Sequence, residues 1–133
     1  MKTIAGFLSM MLLVSSHTAS HAQQESDFAA IAYSPLTRRI GIAQDRNSRA
    51  TAEEIALRNC QAEPNSPTDC KNAAWVKAGC AALAVSSNGA WGGHYAADQD
   101  MARRNAIAQC QRYAEGADTA SCAVLTVLCT TRR

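Results

Sequence analysis

The sequence predicts an α+β fold built from two tandem ββαβ copies: antiparallel strands with two helices, stapled by disulfides. Three observations predict it. A run of sequence blocks occurs twice in the same order. Small residues recur at helical spacing between β-type runs. And 133 residues carry six cysteines but only about 5% aromatics.

The duplication organises the rest. Ala29-Ala30-Ile31-Ala32-Tyr33 returns as Ala81-Ala82-Leu83-Ala84-Val85, shifted by 52 positions. The segment from Ser48 to Cys60 returns as Asp98 to Cys110, shifted by 50, and Asp69-Cys70 returns as Ser121-Cys122, shifted by 52. Copy one spans about 28–77 and copy two about 80–130. In copy one, Phe28 to Ser34 reads as a strand stopped by Pro35, and Ile40 to Gln44 alternates as a second. In copy two, Cys80 to Ser86 and Ala90 to Ala96 flank Asn88-Gly89, a hairpin signal that points to a type I′ turn.

A helix follows each hairpin. Ser48 and Asp98 stand at matching positions and suit N-caps, because their side-chain oxygens accept from unpaired first-turn amides. Thr51 to Glu54 offers a competing capping box one turn later. Ala52, Ala56 and Cys60 fall at i, i+4 and i+8, as do Ala102, Ala106 and Cys110, so each helix carries a stripe of small residues. Leu57 and Ile107 add bulk on its flank. Polar loops follow, Gln61 to Asp69 with Pro64 and Pro67, and Gln111 to Ser121 with Gly116. Third strands open at Cys70 and Cys122. Packed about a pseudo-two-fold axis, the copies are expected to share one antiparallel sheet with both helices on one face.

Six cysteines allow fifteen connectivities. If duplication preserves pairing, Cys60 joins Cys70 and Cys110 joins Cys122, each tying a helix end to the following strand. Cys80 and Cys129 remain as the third pair. Disulfides suit an exported chain, and the N-terminus agrees with that. Lys2, the apolar run Ile4 to Val14 and Ser20-His21-Ala22 form a signal-peptide pattern cut after Ala22. The run is too short for a membrane span, which needs about 20 apolar residues. Residues 1–22 are thus the leader and 23–133 one duplicated domain, located in the periplasm or secreted, with no membrane attachment after cleavage.

Without Lys2 the chain has 12 basic and 11 acidic side chains. Its basic pairs, such as Arg38-Arg39 and Arg103-Arg104, are scattered, so no nucleic-acid footprint is expected. Zinc is disfavoured too, because there is no Cys-x-x-Cys pair and the mature chain holds one histidine, His94. No cofactor and no metal are expected.

Phe28 to Tyr33, the alanine-rich helix ending at Cys60, Asp69-Cys70, Gly79-Cys80-Ala-Ala-Leu-Ala-Val85 and Trp91-Gly92-Gly93 together resemble the bacterial family catalogued as domain of unknown function 4189. The resemblance covers nearly the whole mature chain. Members are similar in being exported, small and cysteine-containing. The glycine–aromatic signature is clear in copy two, whereas copy one has Ile40-Gly41-Ile42-Ala43. The resemblance implies no activity and no catalytic residues.

No catalytic residues are expected from the sequence either. His94 could act as a base only with a partner such as Ser86, Ser87, Asp98 or Asp100, and none stands in a nucleophile-elbow pattern. Glu53 and Glu54 point to different sides of a helix, and Asp98 and Asp100 suit a helix N-terminus. The cysteines lack the close spacing of a redox pair. What remains is recognition. Trp91, His94 and Tyr95 form the candidate recognition surface, since aromatics anchor interfaces. Strand alternation puts Trp91 and Tyr95 on one face and His94 on the other. Trp91 has a second reading, packed under the helix. The expected function is a non-enzymatic binding module whose partner is a protein, for example a toxin or envelope enzyme held inactive. The alternative is a cell-wall or glycan-binding module or hydrolase accessory.

Overall fold

A computed structural model describes residues 25–62 and 66–132. The expected leader, residues 1–22, and Pro64 lie outside the described residues. The first unit comprises β1 (Phe28–Tyr33), β2 (Ile40–Arg46), α1 (Arg49–Gln61) and β3 (Lys71–Lys77). The second comprises β4 (Cys80–Val85), β5 (Trp91–Ala96), α2 (Gln99–Tyr113) and β6 (Ala123–Cys129). Each unit is ββαβ. A short 3₁₀ helix, Gly116–Ser121, fills the second loop.

The expected single sheet does not form. Each unit keeps its own antiparallel three-stranded sheet, in the orders β2-β1-β3 and β5-β4-β6. The sheets face each other, and α1 and α2 cover opposite outer faces. The reason lies in β1 and β4, which are buried on both sides. Their larger side chains, Ile31, Tyr33, Leu83 and Val85, point into the layer between the sheets, with Val76 and Leu128. Their alternate residues, Ala30 and Ala32 or Ala82 and Ala84, point at the helices. A strand buried on both faces reads as a continuous apolar run. With one face taken by its helix, each sheet hides the other face only against its partner sheet. Burying an Ile or Leu side chain contributes about 1.5–3 kcal/mol, and each unit alone would leave that layer wet.

Small residues set the helix–sheet distance. Ala52, Ala56 and Cys60 are fully buried against Ala30, Ala32 and Ala43, and Ala102, Ala106 and Cys110 repeat this on Ala82 and Ala84. Gly41 and Gly92 complete the approach. A Cβ on Gly41 would stand 2.0 Å from the Ala56 carbonyl oxygen, and one on Gly92 would stand 2.3 Å from the Cys110 nitrogen. Glycine is retained here because no side chain fits. Although copy one has Ile40-Gly41-Ile42 where copy two has Trp91-Gly92-Gly93, the central glycine does the same work in both.

The caps are Ser48 and Asp98. Ser48 accepts from the Thr51 amide at 3.1 Å and Asp98 from the Met101 amide at 2.8 Å. This settles the choice against Thr51, whose side chain instead bonds Ser48 Oγ. The hairpin turn differs from the expected type I′. Positive φ occurs at Gly89, at +91°, but not at Asn88. Gly89 N–H donates to the Ser86 carbonyl, and Ser86 and Ala90 pair by backbone. The turn is the three-residue kind that ends in a left-handed glycine. Asn88 favours it by accepting from the Ala90 amide at 3.0 Å.

Three disulfides join Cys60 to Cys70, Cys110 to Cys122 and Cys80 to Cys129. The first two tie each helix end to the start of the following strand. The third links opposed residues of β4 and β6. The matching place in the first sheet holds the opposed pair Phe28 and Lys77, with the ammonium 5.5 Å from the ring centre.

Gly41→Ala and Gly92→Ala should each lower stability by at least about 2 kcal/mol in denaturant titrations, because backbone must move to admit the methyl group. Replacing both Cys80 and Cys129 by Ala should cost about 1 kcal/mol more than the same change at Cys60 and Cys70, since it frees a loop of separation 49 rather than 10. Equal losses in the two double variants would contradict the loop-length argument.

Candidate functional site

The face that combines exposure with unusual composition is the seam where edge strands β3 and β5 meet. Gly93 makes this meeting close: a Cβ there would stand 2.1 Å from the Ala73 carbonyl oxygen. Ala73 is the bulged residue of β3, between the parts of the strand paired with Ile31 and with Ala32. The symmetric seam, β2 against β6, has Ile42 in place of Gly93 and Leu125 in place of Ala73. Both are exposed, at 46% and 41%, and these strands run less closely together. Bulk at two positions holds that seam apart, and its absence draws the other shut.

Four rings run along the closed seam. Phe28 and Trp75 stack with centroids 6.5 Å apart, Trp75 and Tyr95 at 6.1 Å, and Tyr95 and His94 at 5.2 Å. The Arg49 guanidinium lies 4.3 Å from the Trp75 ring centre and also pairs with Glu53 at 3.0 Å. Tyr95 is 53% exposed. The row therefore crosses from one unit to the other and is most exposed at Tyr95.

The three residues expected to form a recognition surface are divided. Tyr95 and His94 belong to the row. Trp91 does not, although it shares a strand face with Tyr95. Its indole meets the buried Tyr33 ring edge-on at 5.7 Å, in the layer between the sheets rather than under the helix. His94 was expected apart from Tyr95 but lies beside it. The cause is local: His94 Nδ1 is 2.9 Å from the Tyr95 N–H, which bends the imidazole back along the edge strand. Three of the four groups considered as its partners are engaged elsewhere. Asp98 caps α2. Ser86 bonds Asn88 and the Ala90 carbonyl, and Ser87 bonds Asp118 and Ser121, around the turn at the opposite end of β5.

Trp91 lines an open groove of about 450 Å³. Gly92 and Gly93 of β5, Gln109 and Tyr113 of α2, Gly89 of the turn and Ala73 of β3 line it too. Gln109 Nε2 donates to Tyr113 Oη at 3.3 Å. A smaller hollow, about 130 Å³, continues along α2 past His94, Asn105 and Arg112. Trp75, Phe28, Arg49, Gln109 and Tyr113 are the site residues that sequence reasoning missed. For Trp75 a signal existed: it is an aromatic in a strand whose repeat mate is Val127, so it departs from the duplicated pattern.

The family model described as domain of unknown function (DUF4189) matches residues 28–129. The chain belongs to the DUF4189 family. No curated protein and no solved structure matches it. Among the described residues of this DUF4189 chain, no three His, Cys, Asp or Glu side chains gather as metal ligands. No described helix is long and apolar enough to cross a membrane.

Two carboxylates fasten the loops that frame the DUF4189 units. Asp69 accepts from the Ser34 hydroxyl at 2.6 Å and the Leu36 amide at 2.9 Å, which hold its pKa below the ordinary value of 3.8. Ser121, its repeat mate, accepts from the Ser87 amide at 3.0 Å, so the same loop contact survives with a different acceptor. Asp45 accepts from the Thr131 hydroxyl and the Thr131 amide, and its pKa is likewise lowered. A carboxylate whose pKa falls on folding adds stability above its unfolded pKa, and the gain is lost as pH falls through the folded value. Both contributions are therefore complete at neutral pH and fade below about pH 4. Asp45→Asn and Asp69→Asn should each lower stability at pH 7 and flatten the fall in stability below pH 4, read by chemical denaturation across pH. An unchanged acid limb would rule out these two contacts as its origin.

Proposed function

We propose that this DUF4189 chain is an exported, non-catalytic protein-binding module, of the kind that holds a toxin or an envelope enzyme inactive, in the periplasm or outside the cell. The observation that carries this reading is the aromatic row along the β3–β5 seam, with exposed Tyr95 stacked between half-buried Trp75 and His94 and Arg49 over Trp75. Trp, Tyr and Arg are the residues enriched where single side chains carry most of the binding energy between proteins. The rings already hold one another in place, so little side-chain freedom would be lost on association. Three disulfides support export, because such bonds persist in oxidising compartments, and the leader pattern of residues 1–22 agrees.

Immobilised mature protein should retain a discrete protein from an envelope extract of the source cells. Tyr95→Ala, which removes an exposed ring, should weaken that complex by about 2 kcal/mol, roughly thirtyfold, with its melting temperature little changed. Retention of no protein, or equal retention by Tyr95→Ala, would refute the reading.

A further inference from the structure

The groove beside Trp91 is lined by residues that differ from their mates in the first unit. The two sheets share a register: Ile40 opposes Tyr33 as Trp91 opposes Val85, and Ile42 opposes Ile31 as Gly93 opposes Leu83. Asn59 and Gln109 each precede the helix cysteine. In the first unit, Asn59 Nδ2 donates to the Ile42 carbonyl at 2.8 Å, fastening helix to strand. In the second unit the amide one methylene longer turns outward to Tyr113 Oη. One unit has an isoleucine, an isoleucine and an inward-bonded asparagine where the other has an indole, a bare backbone and an outward amide. The second combination lines the groove.

Its lining defines the ligand chemistry. The groove of about 450 Å³ lies in the size range of small-molecule sites, about 300–1,000 Å³. No charged side chain lines it. An indole and a phenol supply apolar ring surface, while the Gln109 carboxamide and the Tyr113 hydroxyl supply both donors and acceptors. That combination suits an uncharged ring with C–H groups on its face and hydroxyls around its rim. We propose that the groove formed by Trp91, Gly93, Gln109 and Tyr113 binds a neutral pyranose unit of a glycan. The ring lies against the aromatic surface and its hydroxyls exchange hydrogen bonds with Gln109 and Tyr113. This site goes beyond the protein-binding seam and uses none of the four stacked rings.

The chain has two tryptophans, so in a Trp75→Phe background the emission reports Trp91 alone. N-acetylglucosamine and its β-1,4-linked trimer are the probes. The trimer should produce a saturable change in emission and shift the amide signals of Gln109 and Tyr113 in NMR spectra. An equal response to the monomer would identify free sugar as the ligand, and a response to the trimer alone a chain; either supports the site. Tyr113→Ala, at an exposed position, and Gln109→Ala, at a half-buried one, should weaken binding at least about fivefold, while Tyr95→Ala should leave it unchanged. Absence of any response to both sugars overturns the proposal, as does a response that survives both groove variants. So does loss of the protein partner, rather than of sugar, in Tyr113→Ala: the groove would then belong to the protein interface. A failed pull-down with intact sugar binding would sink the protein-binding reading alone.

Discussion

Contact between small residues sets the spacing of the two helix–sheet layers in this protein. Alanines on β1 and β4 meet alanines on α1 and α2, and Gly41 and Gly92 let the helix ends touch strand backbone. Close packing of this kind gains dispersion energy from many atoms at short range, but it buries little area per residue. The apolar payload therefore sits in the other layer, between the sheets, where Ile31, Tyr33, Leu83 and Val85 are hidden. Neither layer suffices alone. The tight outer layers fix each helix, and the bulky central layer joins the units.

The two units are alike in scaffold and unlike at their edges. Loop contacts persist through changed chemistry, carboxylate in one unit and hydroxyl in the other. Strand ends are locked by a disulfide in one sheet and by a lysine over a phenylalanine in the other. The seams diverge most. Gly93 and Ala73 close one, and the row of rings lies along it; Ile42 and Leu125 hold the other apart. Duplication thus supplied two equivalent edges, and substitution at a few positions gave them different surfaces.

Much of the scaffold was legible in the sequence because its signals are local or periodic. The small-residue stripes marked the helices, Ser48 and Asp98 marked their starts, and the repeat offset aligned the strands. The layering was not legible. Alternation in Ala29 to Tyr33 separates large from small residues, but nothing local says whether a large face meets its own unit's helix or another sheet. The turn at Asn88-Gly89 needed long-range pairing to choose its length. The seam was hardest to read. Trp75 reaches Tyr95 only because Gly93 admits the Ala73 backbone, a contact between residues of different units. Trp91 and Tyr95 share a strand face, yet one packs half-buried against Tyr33 beside the groove and the other lies exposed at the rim.

The nesting of the sulfur bridges has a consequence for biogenesis. Cys80–Cys129 encloses Cys110–Cys122 within its loop. An oxidant joining thiols in their order along the chain would make Cys60–Cys70 correctly. It would then join Cys80 to Cys110 and Cys122 to Cys129, both wrong. Reaching the native set requires either that β4 wait unbonded until the last strand arrives or that early bridges be exchanged through mixed disulfides. Oxidation alone therefore does not secure the native set: either Cys80 is kept reduced until Cys129 is in place, or misjoined pairs are reshuffled afterwards.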